Sequence, residues 1–177
     1  MIGKAIASAG RSFRARPAKI ALRVARPVDY GFARQLCFTT MHELVEQVFG
    51  WDEYSQDAIF ARQFVLSEVR IVTLEGKDIG WIQTQSNDRT INLGQLYIAP
   101  GSQCRGVGSA VLQQLLAESG KRGKDVTLSV MKGNPALGFY RRHGFRVTHD
   151  DRYKFYLRFE PKHPLRGIGP SMGMRRG

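Results

Sequence analysis

A strand–helix–strand unit occupies the middle of this sequence and restricts the folds that the chain can adopt. An apolar run from Ile91 to Ala99 is followed by residues 106–119, whose apolar side chains recur at helical spacing up to Gly120. Residues 126–130 then alternate as a strand. Parallel strands need a crossover of this kind, and strands covered by helices are buried on both faces. The unit therefore predicts a parallel pair of strands.

The segments on either side of this unit predict antiparallel strands and further helices. A short strand at Ile20–Val24 precedes two helices, for which Asp29 and Asp52 are the expected N-caps. Three strands joined by two polar turns follow and predict two hairpins in series. A short helix at 134–142 and two closing strands complete the order. This order predicts one α/β (α+β) domain with a mixed, mostly antiparallel sheet flanked by helices.

The net charge of +12 is concentrated at the two ends of the chain. Residues 1–28 hold seven Lys/Arg and residues 162–177 hold four, and neither segment contains an acidic residue. Residues 29–161 carry 16 basic and 15 acidic side chains, a balance of +1. Because a nucleic-acid-binding protein clusters its Lys/Arg on one face of the fold, this distribution argues against nucleic-acid binding.

The composition predicts one domain with two basic extensions. We expect a flexible leader at 1–19, the folded domain at 20–160 and a Gly/Pro-rich tail at 161–177. The acid-free, Arg-rich leader is typical either of a flexible arm or, in a eukaryote, of an organelle transit peptide. No apolar run reaches about 18 residues, which excludes a membrane-spanning helix. The only cysteines, Cys37 and Cys104, have no zinc-site spacing, so we expect a cytoplasmic protein without a metal.

The turn between the strand and the helix, Gln103 to Gly108, is suited to binding an anion. Glycines at 106 and 108 let the backbone approach a ligand closely, and the free amides of a helix start carry the positive end of its dipole. Arg105 adds a charged donor. The turn lacks the third glycine of a dinucleotide fingerprint and the Gly-Lys-Ser/Thr of a P-loop. These residues alone leave two interpretations open, a pyrophosphate cradle or a tight turn.

Two motifs in this region resemble those of the GNAT superfamily of N-acetyltransferases. Leu96 to Pro100 (LYIAP) with Gln103 to Gly108 (QCRGVG) is similar to the family's Leu-Tyr-Val-x-Pro strand and Arg/Gln-x-x-Gly-x-Gly/Ala signature. Asn134 to Phe145 (NPALGFYRRHGF) is similar to its Asn-Pro-Ala-x-x-Leu/Phe-Tyr-x-x-x-Gly-Phe segment. The resemblance spans residues 21–159. It implies an acetyl-CoA-dependent N-acetyltransferase whose sheet splays at its two central parallel strands.

The resemblance also assigns the acetyl-CoA contacts. It implies that the pyrophosphate binds backbone amides of the turn and helix start, namely Gln103, Cys104, Arg105, Gly106, Val107, Gly108 and Ser109. It implies that the pantetheine arm follows the preceding strand at Leu96, Tyr97, Ile98 and Ala99, with Ile98 nearest the thioester. A backbone amide there would stabilise the oxyanion. Asn134 matches an asparagine that contacts the CoA arm, and Gly94 is the predicted site of a strand bulge.

Tyr140 matches the family's tyrosine beside the sulfur. A phenol with a pKa of about 10 can protonate the departing CoA thiolate. The alternative is that Tyr140 is an aromatic core residue beside Phe139. Cys104 lies in the pyrophosphate turn, so no covalent intermediate is expected there. The expected mechanism is therefore direct attack by an amine in a ternary complex.

A general base is the missing component of this mechanism. Many relatives carry a glutamate on or near the bulged strand, where this chain has Gln95, which orients a water or an amine but accepts no proton. Glu53 is the candidate base, because the region between the first two helices lines the acceptor site in relatives. The other candidates are Glu43, Glu46, Asp52, Glu68, His42 and His143. A relay of waters is the alternative, and a non-catalytic acyl-CoA-binding regulatory module is the second hypothesis.

An aromatic lip formed by Phe49, Trp51 and Tyr54 marks the expected acceptor site. Together with neighbouring carboxylates it would suit a cationic amine through attraction to the ring faces. Trp51, Tyr54 and Gln95 are the predicted substrate-binding residues. In the alternative, Phe49 and Trp51 are core residues between two helices. The sequence leaves polyamines, amino sugars, amino-acid derivatives and protein amino termini open as acceptors, and it leaves a homodimer open.

Overall fold

A computed structural model describes residues 19–161, which form seven strands and four helices in the predicted order. The strands are β1 (Ile20–Val24), β2 (Val69–Leu74), β3 (Lys77–Ser86), β4 (Thr90–Ile98), β5 (Asp125–Met131), β6 (Arg146–Asp150) and β7 (Lys154–Phe159). The helices are α1 (Tyr30–Phe49), α2 (Glu53–Gln63), α3 (Val107–Arg122) and α4 (Ala136–Arg142). Apart from Lys19 and Pro161, the predicted leader and tail lie outside the described residues.

The strands form one sheet in the order β1-β2-β3-β4-β5-β7-β6. The β4–β5 pair is parallel and every other neighbouring pair is antiparallel. This arrangement confirms the predicted mixed, mostly antiparallel sheet. The parallel pairing is confined to Thr90–Asn92 opposite Asp125–Thr127, so β4 and β5 separate beyond that point. Within residues 19–161, the edge of β4 from Leu93 to Ile98 consequently has no strand partner on the β5 side.

A β-bulge at Gly94 bends β4 where the two parallel strands separate. Gln83 pairs with Gln95 and Thr84 pairs with Leu93, which leaves Gly94 as an extra residue on β4. The bulge predicted from the sequence is therefore confirmed. A bulge increases the local twist and bend of its strand, which turns the following residues away from β5.

Apolar clusters cover the two faces of the sheet. On one face, α3 packs through Val111 and Leu112, which are completely buried. On the other face, α1 and α2 pack over Trp81, which is 1% exposed and donates a hydrogen bond from Nε1 to the Ala33 carbonyl at 3.1 Å. The sheet is thus held rigidly on both sides, and α1 is fixed over the strands that flank the splay.

Asp29 has a different role from the one predicted. Its carboxylate does not cap α1: it accepts hydrogen bonds from the Arg23 guanidinium at 2.8 Å and from the Arg26 amide at 2.7 Å. The hydrogen bonds from Arg23 lower the pKa of Asp29 to about 2. Because Arg23 lies on β1, the pair ties the start of α1 to the edge of the sheet. At α2 the prediction is confirmed, since Asp52 accepts from the Ser55 amide at 2.8 Å.

Helix α3 ends later than the sequence indicated. Gly120 stays helical, and the left-handed residue that terminates the helix is Gly123, with φ of 63°. The Lys124 amide then donates to the Ser119 carbonyl at 3.0 Å, a bond that satisfies a free carbonyl at the helix end. The prediction was wrong because an isolated glycine is tolerated inside a helix that is held by packing. None of the helices within residues 19–161 combines the length and apolarity needed to cross a bilayer.

Candidate active site

A cleft of about 410 Å³ opens where β4 and β5 separate. Its strand wall consists of residues 94–97 of β4 and 129–131 of β5. Its helix wall consists of the lining residues of α1, of α2 and of the segment between them. These are Cys37, Phe38, Met41, Val45, Phe49, Trp51, Gln56, Ile59, Phe60 and Gln63. The remaining lining residues are Asn134, Ala136, Tyr140 and Lys154.

The glycine-rich turn follows β4 and presents free backbone amides. Cys104 and Gly106 have left-handed backbones, with φ of 57° and 77°. The Ala110 amide makes the first helical bond, to the Gly106 carbonyl at 2.9 Å. The amides of residues 107–109 donate to no other backbone carbonyl within the described range. A turn with left-handed residues followed by open helical amides forms an anion-binding concavity, and the exposed Arg105 lies beside it.

Gln103 ties this turn to the end of β4. Its side-chain Nε2 donates to the Ile98 carbonyl at 2.8 Å, so the side chain is occupied by the protein itself. Ile98 and Ala99 remain paired with β3, and the Ala99 amide donates to the Ile79 carbonyl at 2.7 Å. Of the four positions assigned to the pantetheine arm, Leu96 and Tyr97 line the cleft, whereas Ile98 and Ala99 do not.

Tyr140 lies in the cleft lining and is almost fully buried, at 9% exposure. Its ring contacts Phe139 and Phe145 edge-on, with centroids 5.2 and 5.5 Å apart. Burial raises the pKa of Tyr140 to about 12, so the phenol stays protonated at neutral pH. Tyr140 therefore packs in the core, as one of the two interpretations predicted, and it also lines the cleft; its role as a proton donor stays a prediction.

Asn134 lies in the cleft lining at the start of α4. Its Oδ1 accepts a hydrogen bond from the Ala136 amide at 2.8 Å and so stabilises the helix start. With Oδ1 engaged in this way, the side-chain amide is the group of Asn134 that remains as a donor.

The predicted acceptor residues separate into two groups. Trp51 and Gln95 line the cleft: Trp51 packs against the rings of Phe38 and His42 at 5.1 and 4.4 Å, and the Gln95 Nε2 donates to the Gln63 Oε1 at 3.4 Å. Tyr54 is 85% exposed and does not line the cleft. The first turn of α2 starts at Glu53, and this places the Tyr54 ring on the solvent side of the helix.

Glu53 also lies outside the cleft lining. Its side chain is 69% exposed and forms an ion pair with Arg34 at 3.0 Å; Arg34 also pairs with Asp57. This position gives no support to Glu53 as the general base, because a base must reach the attacking amine directly or through one water. The remaining candidate acids and imidazoles, Glu43, Glu46, Asp52, Glu68, His42 and His143, are likewise absent from the lining residues.

The ionisable groups that do line the cleft are Cys37, Tyr97, Tyr140 and Lys154. Burial raises the pKa of the Cys37 thiol, and burial next to Cys37 raises the pKa of Tyr97. Cys37, Gln56, Gln63 and Lys154 also line the cleft but were not predicted as site residues. The one sequence signal for them is the helical spacing of Cys37 and Met41, which indicates that these two side chains share a face of α1. Within residues 19–161, no group of three or more His, Cys, Asp or Glu side chains is placed to hold a metal ion.

Comparisons with known proteins find a family model and solved structures that are similar to this chain. Residues 62–147 match the family model described as the acetyltransferase (GNAT) domain. The N-acetyltransferase PaiA of Thermoplasma acidophilum, solved with coenzyme A, superposes with a TM-score of 0.68 at 17% identity and covers 80% of this chain and 99% of its own. No curated protein matches the sequence.

Two further solved structures share the fold. Ard1 of Thermoplasma volcanium has a TM-score of 0.60 at 16% identity, covering 81% of this chain and 99% of its own. Naa50 of Arabidopsis thaliana, solved with the bisubstrate analogue CoA-Ac-MVNAL, has a TM-score of 0.53 at 15% identity, covering 80% and 98%. The family model over residues 62–147, the seven-stranded splayed sheet and the glycine-rich turn agree with one another, and together they support the GNAT superfamily of N-acetyltransferases as the family that this chain resembles.

Proposed function

We propose that this protein transfers an acetyl group from acetyl-CoA to a primary amine by direct attack in a ternary complex. The observation that carries this proposal is the splay of β4 from β5 beyond Asn92. It leaves the β4 edge from Leu93 to Ile98 without a strand partner among the described residues on the β5 side, at a cleft where an extended arm can pair with it. PaiA was solved with coenzyme A, which supports assigning this edge to the pantetheine arm.

In this proposal the coenzyme lies along the strand wall and the turn that follows it. The pyrophosphate binds the amides of residues 103–109, with Arg105 adding a charge, and Asn134 donates its side-chain amide to the arm. The Gln103 side chain, bonded to Ile98, holds the turn in place rather than contacting the coenzyme. Acetyl-CoA is a co-substrate, and no metal takes part.

Tyr140 is the proposed proton donor to the departing thiolate. Its pKa of about 12 keeps it protonated, and the same desolvation raises the basicity of a thiolate formed beside it. An amide on the exposed β4 edge stabilises the oxyanion of the thioester carbonyl. Cys104 is exposed in the turn and takes no covalent part.

A non-catalytic acyl-CoA-binding module is the second candidate function. It is favoured by one observation: among the described residues 19–161, no carboxylate or imidazole lines the cleft. A protein of this kind would bind acetyl-CoA and release no free CoA with any amine.

Calorimetry with acetyl-CoA and desulfo-CoA tests both candidates. We expect saturable binding that is abolished in Gly106→Trp, because the indole fills the proposed phosphate site. Gly76→Trp is the matched control: Gly76 has nearly the same left-handed backbone, with φ of 80° against 77°, and lies in the β2–β3 turn. Both variants carry the same cost of about 1–2 kcal/mol for a left-handed side chain. An absence of wild-type binding below millimolar concentration contradicts both candidate functions.

A further inference from the structure

The helix wall gives the acceptor end of the cleft an apolar, aromatic surface. Phe38, Trp51 and Phe60 pack edge to face, with centroid distances of 5.1 Å for Phe38–Trp51 and 6.2 Å for Phe38–Phe60. Met41 and Val45 line the cleft on the same helix as Phe38. A ligand that binds here leaves water and contacts aromatic rings and methyl groups. This environment favours a ligand with a largely apolar surface.

The polar groups of the cleft are neutral or positive. Gln56, Gln63 and Gln95 contribute amides, and within the part of the chain that the structure describes Lys154 is the cationic residue of the lining. The nearest carboxylates of α2 are held elsewhere, since Glu53 and Asp57 pair with Arg34 outside the cleft. A polycationic acceptor would therefore lose its hydration and meet a lysine in place of a counter-charge.

The size of the cleft limits the acceptor further. Its volume of about 410 Å³ is near the lower end of the range of about 300–1,000 Å³ for small-molecule sites, and the acetyl group shares it. The rings of Phe49 and Tyr153 meet at 5.0 Å and join the end of α1 to the β6–β7 turn across one side. These features favour a small molecule over a folded macromolecule.

From these observations we infer that the acceptor is a small primary amine carried on an apolar, ring-bearing body, and that it reacts as its neutral base. The inference rests on the proposed acetyltransferase function. Removing an ammonium ion from water without a counter-charge lowers the pKa of the amine, so in this inference the amine gives one proton to water and enters the cleft as the neutral nucleophile. The nitrogen then bonds to the thioester carbonyl, the C–S bond breaks, the thiolate takes the Tyr140 proton, and the excess proton on the nitrogen restores the Tyr140 phenol. This explains how the reaction proceeds without a carboxylate or imidazole in the lining.

The pH dependence follows from the groups that face the cleft. Burial raises the pKa values of Cys37, Tyr97 and Tyr140, which favours their protonated forms; Lys154 also lines the cleft, and His42 contacts Trp51 from outside the lining. Below an amine pKa of about 10, the neutral fraction rises tenfold per pH unit. We expect kcat/KM for the amine to rise with that slope from pH 6 to 9. A plateau above pH 7 overturns the inference, because it indicates a protein base.

An acceptor panel gives the direct test. Wild-type protein with acetyl-CoA is given 2-phenylethylamine, spermidine or a peptide beginning with Met, and free CoA is measured. We expect kcat/KM for 2-phenylethylamine to exceed the other two by at least about tenfold. If spermidine is acetylated faster than 2-phenylethylamine, the inference that the acceptor has an apolar body is wrong. If the peptide is acetylated and 2-phenylethylamine is not, the inference that the acceptor is a small molecule is wrong. Transfer to spermidine or the peptide but not to 2-phenylethylamine overturns the inference and leaves the proposed acetyltransferase function standing. CoA binding with no reactive amine overturns both and favours the non-catalytic module, and an absence of CoA binding contradicts both candidate functions.

A charge-insertion variant sharpens the result. Gln95→Glu places a carboxylate in the cleft with almost no change in volume, so the preference for 2-phenylethylamine over spermidine should fall about tenfold. Gln85→Glu is the matched control, because Gln85 is exposed on β3 outside the lining and should leave the ratio unchanged. An unchanged ratio in Gln95→Glu, in a variant that still binds CoA, overturns the inference.

Discussion

The strand wall and the helix wall face each other across one cleft, but they are built from different groups. The strand wall and the turn that follows it offer backbone: the unpaired edge of β4 and the free amides of residues 107–109. The helix wall offers side chains, among them Phe38, Trp51 and Gln63. Because every residue other than proline has the same backbone donor and acceptor, a site built from backbone depends on the geometry of the strand, bulge and turn. We expect that geometry to bind one coenzyme. Side chains on the helices can differ from one sequence to another. We therefore expect the helix wall to determine which acceptor amine binds.

Tyr140→Phe is the substitution with the largest expected effect on this comparison. It removes the proposed proton donor, which α4 contributes to the cleft, and keeps the ring contacts with Phe139 and Phe145. We expect kcat to fall about 10²-fold, as for other general acids, while KM for acetyl-CoA changes by no more than a few-fold. Steady-state kinetics measures both parameters.

Tyr156→Phe is the control for that experiment. It also removes a phenol, one that donates to Asp151 at 2.9 Å outside the cleft, and it should leave kcat unchanged. Full kcat in Tyr140→Phe contradicts the proton-donor role, and loss of CoA binding together with a lowered melting temperature shows a packing role only.

Asp29→Asn should weaken the attachment of α1, which forms part of the helix wall, and should leave the strand wall unchanged. The change removes the charged partner of Arg23 from a side chain that is 5% exposed, and we expect the free energy of unfolding to fall by about 2 kcal/mol at pH 7. Binding of acetyl-CoA to the folded variant should be unchanged. Urea titrations and calorimetry measure the two quantities.

The same pair gives a pH dependence with a defined sign. The folded-state pKa of Asp29 is lowered to about 2, so its contribution is complete above the ordinary carboxyl pKa and is lost as the pH falls from about 4 towards 2. The difference in unfolding free energy between wild type and Asp29→Asn should therefore narrow over that range. A constant difference contradicts the ion-pair assignment.

Trp51→Ala has the smallest expected effect, and it changes only the helix wall. Loss of the ring should raise KM for the amine about tenfold through the lost apolar contact and leave the affinity for acetyl-CoA unchanged. Trp51→Phe keeps a ring beside Phe38 and should lose less. Equal losses for amine and coenzyme would show that the two walls are not independent.

The sequence predicted the strand side of the molecule in detail. The order of elements, the parallel pair and the bulge at Gly94 follow from alternation, helical spacing and glycine placement, all of which act over a few residues. The glycine-rich turn was found in the same way, because a left-handed backbone and open helix amides require particular residues at fixed spacing. These features depend on the conformational preferences of a few neighbouring residues, and they could therefore be predicted from the sequence.

The tertiary structure alone decided which side chains meet in the cleft. Glu53 and Tyr54 were expected there and lie outside, whereas Cys37, Gln63 and Lys154 line it although no motif marks them. Asp29 was expected to cap a helix and instead binds Arg23 of β1. The direction in which a helix faces the sheet depends on long-range packing over residues such as Trp81, and one residue of rotation, about 100°, moves a side chain from the cleft to solvent. The sequence by itself therefore determined the backbone scaffold, and packing of the helices on the sheet determined the chemistry of the acceptor wall.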